Sequence, residues 1–373
     1  MMKIMRRSWG LKSAWVGGIV ALTAGAQGQW TEWTFTNLHP AGARSSAAIS
    51  VHGTQQVGYA VQEEASRAGL WSGTSSSWVD LHPNGARSSH ANSTSGSQQV
   101  GSASIDDASR AGLWHGTADS WVNLHPAGAR SSTASDTSGS HQAGWVLIGD
   151  NNHASLWSGS ASSWIDLNPA LAQSSRAWAV SGGQQAGSAT VLQDGMVWVP
   201  HASLWSGTAA SWVDLNPPGA WGSEVYAMRG SQQVGRASLG TGSPSASLWT
   251  GTAESWVDLN PLGALYSIAY DTSGLHQVGY SEIGGANRAS FWSGTAASWV
   301  DLGAFLPPEY TGSIAYGIFE DGVTLYVSGM GYNSETLRSE ALLWTHPVPE
   351  PSTMAALCAG VLAVLRRRRR QES

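Results

Sequence analysis

Four short stretches decide the fold: Trp78-Val79-Asp80-Leu81, Ser88-Ser89-His90-Ala91, Gln98-Gln99-Val100-Gly101 and Gly112-Leu113-Trp114. Each is rich in strand-forming or small residues, and each is set off by Gly, Ser, Asn or Pro, the residues of turns. No run of eleven residues in the body shows helical periodicity. The same four stretches recur along the chain. Leu-Trp returns at Trp71, Trp114, Trp157, Trp205 and Trp249, as Phe291-Trp292, and again at Trp344. Six of these are followed seven residues later by a second tryptophan: Trp78, Trp121, Trp164, Trp212, Trp256 and Trp299. The Gln/His-Gln-Val/Ala-Gly string ends at Gly58, Gly101, Gly144, Gly187, Gly235 and Gly279, with a degenerate copy at Gly329. The period is about 43 residues, and there are seven copies between residues 35 and 344.

Four short strands at this period predict an all-β, seven-bladed β-propeller. An open solenoid is the alternative. Space is tight near a propeller axis, so the small Ser-Ser-x-Ala run is expected innermost. The Gln-Val-Gly strand is then second, Leu-Trp third, and Trp-Val-Asp-Leu outermost. With this phase, residues 35–38 must pair outside the strand ending at Trp344, closing the ring and covering an exposed edge. The repeats also resemble the HAF-type extracellular repeat, with Ala-Ser-Leu-Trp (at Trp157, Trp205 and Trp249) in place of His-Ala-Phe-Leu-Trp.

The two ends read as sorting signals. Lys3, Arg6, Arg7 and Lys12 precede an apolar stretch over 14–24 and the small-x-small triplet Ala24-Gly25-Ala26. This is the pattern of a secretory signal peptide over 1–26, cut by signal peptidase. At the other end, Pro349-Glu350-Pro351 is followed by an apolar run over 354–365 and by Arg366, Arg367, Arg368, Arg369 and Arg370. The prolines favour an extended backbone open to a protease, and the arginines resist crossing a bilayer. The apolar run, expected as a short helix, is about 18 Å long at ~1.5 Å per residue, short of the ~30 Å hydrocarbon core. The tail over 347–373 resembles the PEP-CTERM sorting signal. That resemblance implies an exosortase-like membrane protease as a partner, transient anchoring in the inner membrane, and delivery to the cell envelope or beyond.

The body expected over 27–346 then has no thiol, since Cys358 lies in the tail. Setting aside the leader and the tail leaves ten arginines against 23 acids and no lysine, a net charge of about −13. That balance excludes a nucleic-acid partner, which needs a basic patch. Both repeated tryptophan columns are expected in the core. The off-register Trp145, Trp178, Trp198 and Trp221 are the candidates for exposure.

In a four-stranded meander, the link from one blade to the next shares a face with the hairpin between second and third strands. That face collects His-Pro-x-Gly-Ala-Arg turns, with Arg44, Arg87 and Arg130 as possible anion contacts, and the variable segments. The segment over 192–201 is the longest of the regular set and carries Asp194, Met196, Trp198 and His201. Asp106-Asp107 and Asp150 offer oxygen ligands, but turn chemistry and solvation explain them more simply, and no metal or other cofactor is expected. No protease, hydrolase, phosphate-loop or calcium-loop motif is present. The reading is a non-enzymatic exported propeller binding a partner protein or glycan, with an extracellular glycan hydrolase or lyase as the alternative.

Overall fold

The computed structural model describes residues 30–240 and 242–348; the expected signal peptide, and the sorting tail from Pro349 on with its expected helix, lie outside them. Seven four-stranded antiparallel sheets follow one another as the blades of a propeller. In blade 2 the strands are Ser88–Thr94, Gln99–Ile105, Ala108–Trp114 and Val122–Asn123, paired in chain order from inside outward. Blade 7 takes its outermost strand from the N-terminal side. Thr34–Asn37 pairs with Arg338–Pro347, placing Phe35 opposite Trp344. The expected latch therefore closes the ring.

The repeat signature explains itself blade by blade. Trp71, Trp114, Trp157, Trp205, Trp249, Trp292 and Trp344 are all fully buried. Each packs in an apolar layer between two blades; Trp114, for example, lies with Val57, Ala68, Leu70, Leu81 and Ala91. The second column is half-buried and leans on these layers. It is seated in two ways. In four blades the indole N–H donates to a serine of the third strand, as Trp164 does to Ser155 at 2.9 Å. In blades 1 and 2 that serine is Gly69 or Gly112, where a Cβ would fall about 2 Å from the indole ring. The ring instead settles on the first-column tryptophan, 4.6 Å between centroids.

Adjacent blades are stapled by the second serine of Ser-Ser. Its Oγ accepts the backbone N–H of an alanine in the preceding blade, as Ser89 does from Ala68 at 2.9 Å. The contact recurs at Ser132, Ser175, Ser223, Ser267 and Ser313. The seventh, Ala341 to Ser46, spans the closure. A buried N–H left unpaired costs about 1–3 kcal/mol, so the serine is a structural requirement. A glutamine plays a similar part near the opposite end of the blade: Gln56, Gln99 and Gln142 accept the N–H of Gly73, Gly116 and Gly159.

Every first strand has a β-bulge three residues after the stapling serine, between Ala91 and Ser93 in blade 2. The bulge brings the first-strand backbone onto the glycine of Gln-Val-Gly. A Cβ on Gly144 would meet the carbonyl oxygen of Thr133 at 2.0 Å, and the other six glycines are equally confined. This close approach, not a turn, keeps the position glycine.

Candidate functional site

Two surfaces carry the chemistry: the face where the blade-to-blade links and second–third hairpins meet, and the channel along the axis.

On the hairpin face, Arg44, Arg87 and Arg130 are placed together with acids of the neighbouring hairpin rather than with one another. Arg44 meets Glu64 at 2.6 Å, Arg130 meets Asp150 at 2.7 Å, and Arg87 pairs with Asp107. Each of these arginines is thus paired, at an exposed position, with a carboxylate of the neighbouring hairpin. Asp106 pairs in turn with Arg110. The histidines of the His-Pro turns are structural relays. His39 and His125 bridge the stapling serine through Nδ1 and a turn carbonyl through Nε2, as His82 does. Burial lowers the affinity of His39 and His125 for a proton. The later copies use asparagine at this position for the same reason. Asn216 accepts from Ser223 through Oδ1 and donates to Ala220 through Nδ2.

The reading of the segment over 192–201 is corrected. It is not a loop: Gln184–Gln193 and Val197–Trp205 continue as paired strands, leaving 194–196 as the turn. The neighbouring hairpins are tight too; Asp106 and Asp107 both have φ near +50° to +60°, as a two-residue turn of a right-twisted hairpin requires. Asp194 occupies such a left-handed position, and Met196 is exposed. Trp198 is 44% exposed and Trp221 51%, as expected, whereas Trp145 and Trp178 are half-buried. His201 is not exposed. It lies in the third strand, 9% exposed, with Nδ1 2.8 Å from Asp214.

The channel is the larger feature, with a volume of about 960 Å³. Its waist is formed by the bulge residues of the seven first strands, which the sequence reading missed as a set. They are Ile49, Asn92 and Ser135 in blades 1–3, and Trp178, Tyr226, Tyr270 and Tyr316 in blades 4–7. The ring is therefore uneven: four aromatic side chains stand in blades 4–7, Asn92 and Ser135 are polar in blades 2 and 3, and Ile49 in blade 1 is apolar, with Tyr59 and His90 lining the channel beside it. Neighbouring rings touch in sequence: Trp178–Tyr226 at 6.3 Å, Tyr226–Tyr270 at 5.6 Å and Tyr270–Tyr316 at 5.4 Å. Burial raises the pKa of these phenols, keeping them neutral. Tyr226 donates to Glu224 at 2.5 Å, a carboxylate also held by Arg236.

Two carboxyls stand just below the waist. Asp136 accepts from Ser93 and from the N–H of Thr137 and Val180; Asp271 accepts from the N–H of Thr272 and Ile318. Each ties its first strand to the next blade. Desolvation inside the ring pushes both carboxyls up, Asp271 to about 7. At one mouth Arg229 lies over Phe319, 5.5 Å from its centroid, and His52 packs at a tilt against the same ring, 4.2 Å between centroids. Among the described residues no group of three or more His, Cys, Asp or Glu side chains is placed to hold a metal.

Beyond the ring, residues 347–370 match the model of the PEP-CTERM protein-sorting motif. The chain therefore ends in a PEP-CTERM signal. The motif begins at Pro347, the last residue of the last blade strand, so the signal adjoins the rim of the propeller. No curated protein matches the sequence. Among solved structures, the β-propeller domain of the Trilobed protease from Pyrococcus furiosus is similar, with a TM-score of 0.54 at 6% identity. The match covers 82% of this chain and 98% of that one. That domain is described as having an open velcro topology; here Thr34–Asn37 closes the ring. A puromycin-hydrolyzing peptidase from Mycobacterium tuberculosis matches with a TM-score of 0.51 at 14% identity, covering 82% of this chain and 54% of that one. An acylaminoacyl peptidase matches with a TM-score of 0.52 at 8% identity, covering 84% and 54%. The chain spans about half the length of these peptidases. At such identities the likeness is one of fold alone.

Proposed function

We propose that the chain is a non-enzymatic propeller of the cell surface or extracellular matrix that binds a partner protein or a glycan. The sorting motif marks an exported protein, and the fold of the exported body is a propeller. The motif adjoining the rim of blade 7 carries this reading. With no spacer between ring and signal, the signal has no other evident role than to deliver and release or retain the propeller itself. In this reading signal peptidase cuts after Ala26, and an exosortase-like protease acts at Pro349-Glu350-Pro351. Until then the apolar run over 354–365 and Arg366 to Arg370 hold the chain at the inner membrane. No helix among the described residues is long and apolar enough to cross a membrane. The likeness of the repeats to the HAF-type pattern belongs to the same proposal.

The non-enzymatic part rests on the channel carboxyls. An acid–base pair must keep a carboxyl free for the reacting atoms. Asp136 and Asp271 instead spend their oxygens on backbone N–H groups of adjoining blades. The hairpin face, with Asp194, Trp198 and the blade-to-blade arginines, is the outer candidate surface for a partner. Mass spectrometry of the native protein tests the proposal. It should find an N-terminus near Gln27 and no peptide from 355–373; recovery of the intact chain from the cytosol would refute it.

A further inference from the structure

We propose that the axial channel is a saccharide site, in which a neutral sugar ring stacks on the aromatic arc of blades 4–7 and hydrogen-bonds to the polar arc of blades 2 and 3. The inference deepens the reading above and rests on it for the setting in which a glycan is met. Its basis is the asymmetry of the waist. Seven equivalent bulges present seven side chains to one channel, so a purely structural ring would repeat one residue type, as the stapling serines and first-column tryptophans do. Instead Trp178, Tyr226, Tyr270 and Tyr316 are consecutive in blades 4–7, and the other three positions are Ile49, Asn92 and Ser135, the last two polar and adjacent.

The chemistry of each arc selects the ligand. The rings meet at 43–62°, so each offers its own face rather than one flat platform, and the C–H face of a pyranose complements one such ring at a time. Asn92 donates its amide to Ala134 at 2.9 Å, which leaves the amide carbonyl as an acceptor toward the channel. The Ser135 hydroxyl is buried without a partner among the described residues. A hydroxyl can both donate and accept, so a sugar hydroxyl satisfies both groups. The waist holds no free charge to favour an ion. Asp136 and Asp271 are bound to the framework, Glu224 is held by Arg236 and Tyr226, and Arg229 stands at the mouth over Phe319. The volume, about 960 Å³, lies at the upper end of the 300–1,000 Å³ range of small-molecule pockets and accommodates a short oligosaccharide segment.

Isothermal titration of the full chain tests the inference, using neutral tetrasaccharides of glucose, N-acetylglucosamine, xylose and mannose, and a neutral aromatic tripeptide as the protein-ligand arm. At least one tetrasaccharide should bind saturably below about 1 mM. Ser135→Ala, which removes an unpartnered hydroxyl and leaves folding intact, should weaken it about fivefold, the worth of one hydrogen bond. Tyr316→Leu should weaken it at least about tenfold, and Ser135→Trp, which fills the waist, should abolish it. Binding by none of the sugars, binding only by the tripeptide, or sugar binding that survives both Ser135→Ala and Tyr316→Leu would overturn the inference. Because affinity is read on purified protein, such a failure leaves export untouched, and failed export leaves the channel result standing.

Discussion

Replacing Ser46 with alanine, set against the same change at Ser132, separates ring closure from the local chemistry of the staple. Ser46 Oγ accepts the N–H of Ala341 at 2.9 Å and bridges to His39 Nδ1 at 2.7 Å. Ser132 makes the same pair of contacts inside the ring, to Ala111 at 2.9 Å and His125 at 2.8 Å. The local chemistry is matched, so the two substitutions differ only in that one staple joins blade 7 to blade 1. Each leaves a buried backbone N–H unpaired, a cost of about 1–3 kcal/mol. At about 2 °C per kcal/mol for a domain of this size, each should lower Tm by ~2–6 °C. Urea unfolding followed by tryptophan fluorescence would give the free energies directly. Equal losses in Ser46→Ala and Ser132→Ala are expected. A full loss for Ser132→Ala with none for Ser46→Ala would mean that the ring is open between blades 7 and 1, and the latch argument would fail.

Gly144→Ala should destabilise by about 2–4 kcal/mol in the same assay, because its Cβ meets the Thr133 carbonyl at 2.0 Å and backbone must move; a neutral result would deny the bulge its role. His276 is buried against Trp30 and Phe291, and desolvation lowers its pKa from 6.5 to about 4. Its contribution is therefore full above pH 6.5 and is lost as pH falls toward 4, to a total of roughly 3 kcal/mol. Asp271, raised to about 7, acts in the opposite sense, its share being lost as pH rises through that value. His276→Phe should accordingly lose less stability than the wild type between pH 7 and 5, and an unchanged acid slope would count against the burial argument. Trp221→Ala should shift stability by less than about 1 kcal/mol, since half the side chain is already in solvent; a loss of several would place Trp221 in the packing.

Most of the fold was legible because the repeat states it seven times. The Leu-Trp column, the ring of seven and the latch around Phe35 follow from spacing alone, since a residue kept in every copy serves a contact made in every blade. The variable segments were harder. The extra residues around 192–201 lengthen two strands instead of a loop, and strand alternation turns His201 inward to Asp214. Charge counting also left Arg44, Arg87 and Arg130 without partners, because Glu64, Asp107 and Asp150 come near only when the hairpin folds beside the link. The channel arc was hidden for the reverse reason. Its residues stand at one fixed place, three after the stapling serine, but differ from blade to blade, so a search for sameness passes over them. In sequence Trp178 is merely off-register, and Tyr226, Tyr270 and Tyr316 share no pattern; the bulges put all four on one ring.

Surface labelling of intact cells shows whether the C-terminal signal carries the propeller outside. An epitope inserted in the exposed turn at Ser75–Ser77, away from the latch and the channel, reports where the folded body lies. Antibody should reach it on unpermeabilised cells or in the medium, and replacing Pro349-Glu350-Pro351 by alanines should leave a longer, membrane-associated chain. Epitope detectable only after lysis, with a chain of the same length whether or not those three residues are replaced, would mean that the signal does not export the propeller.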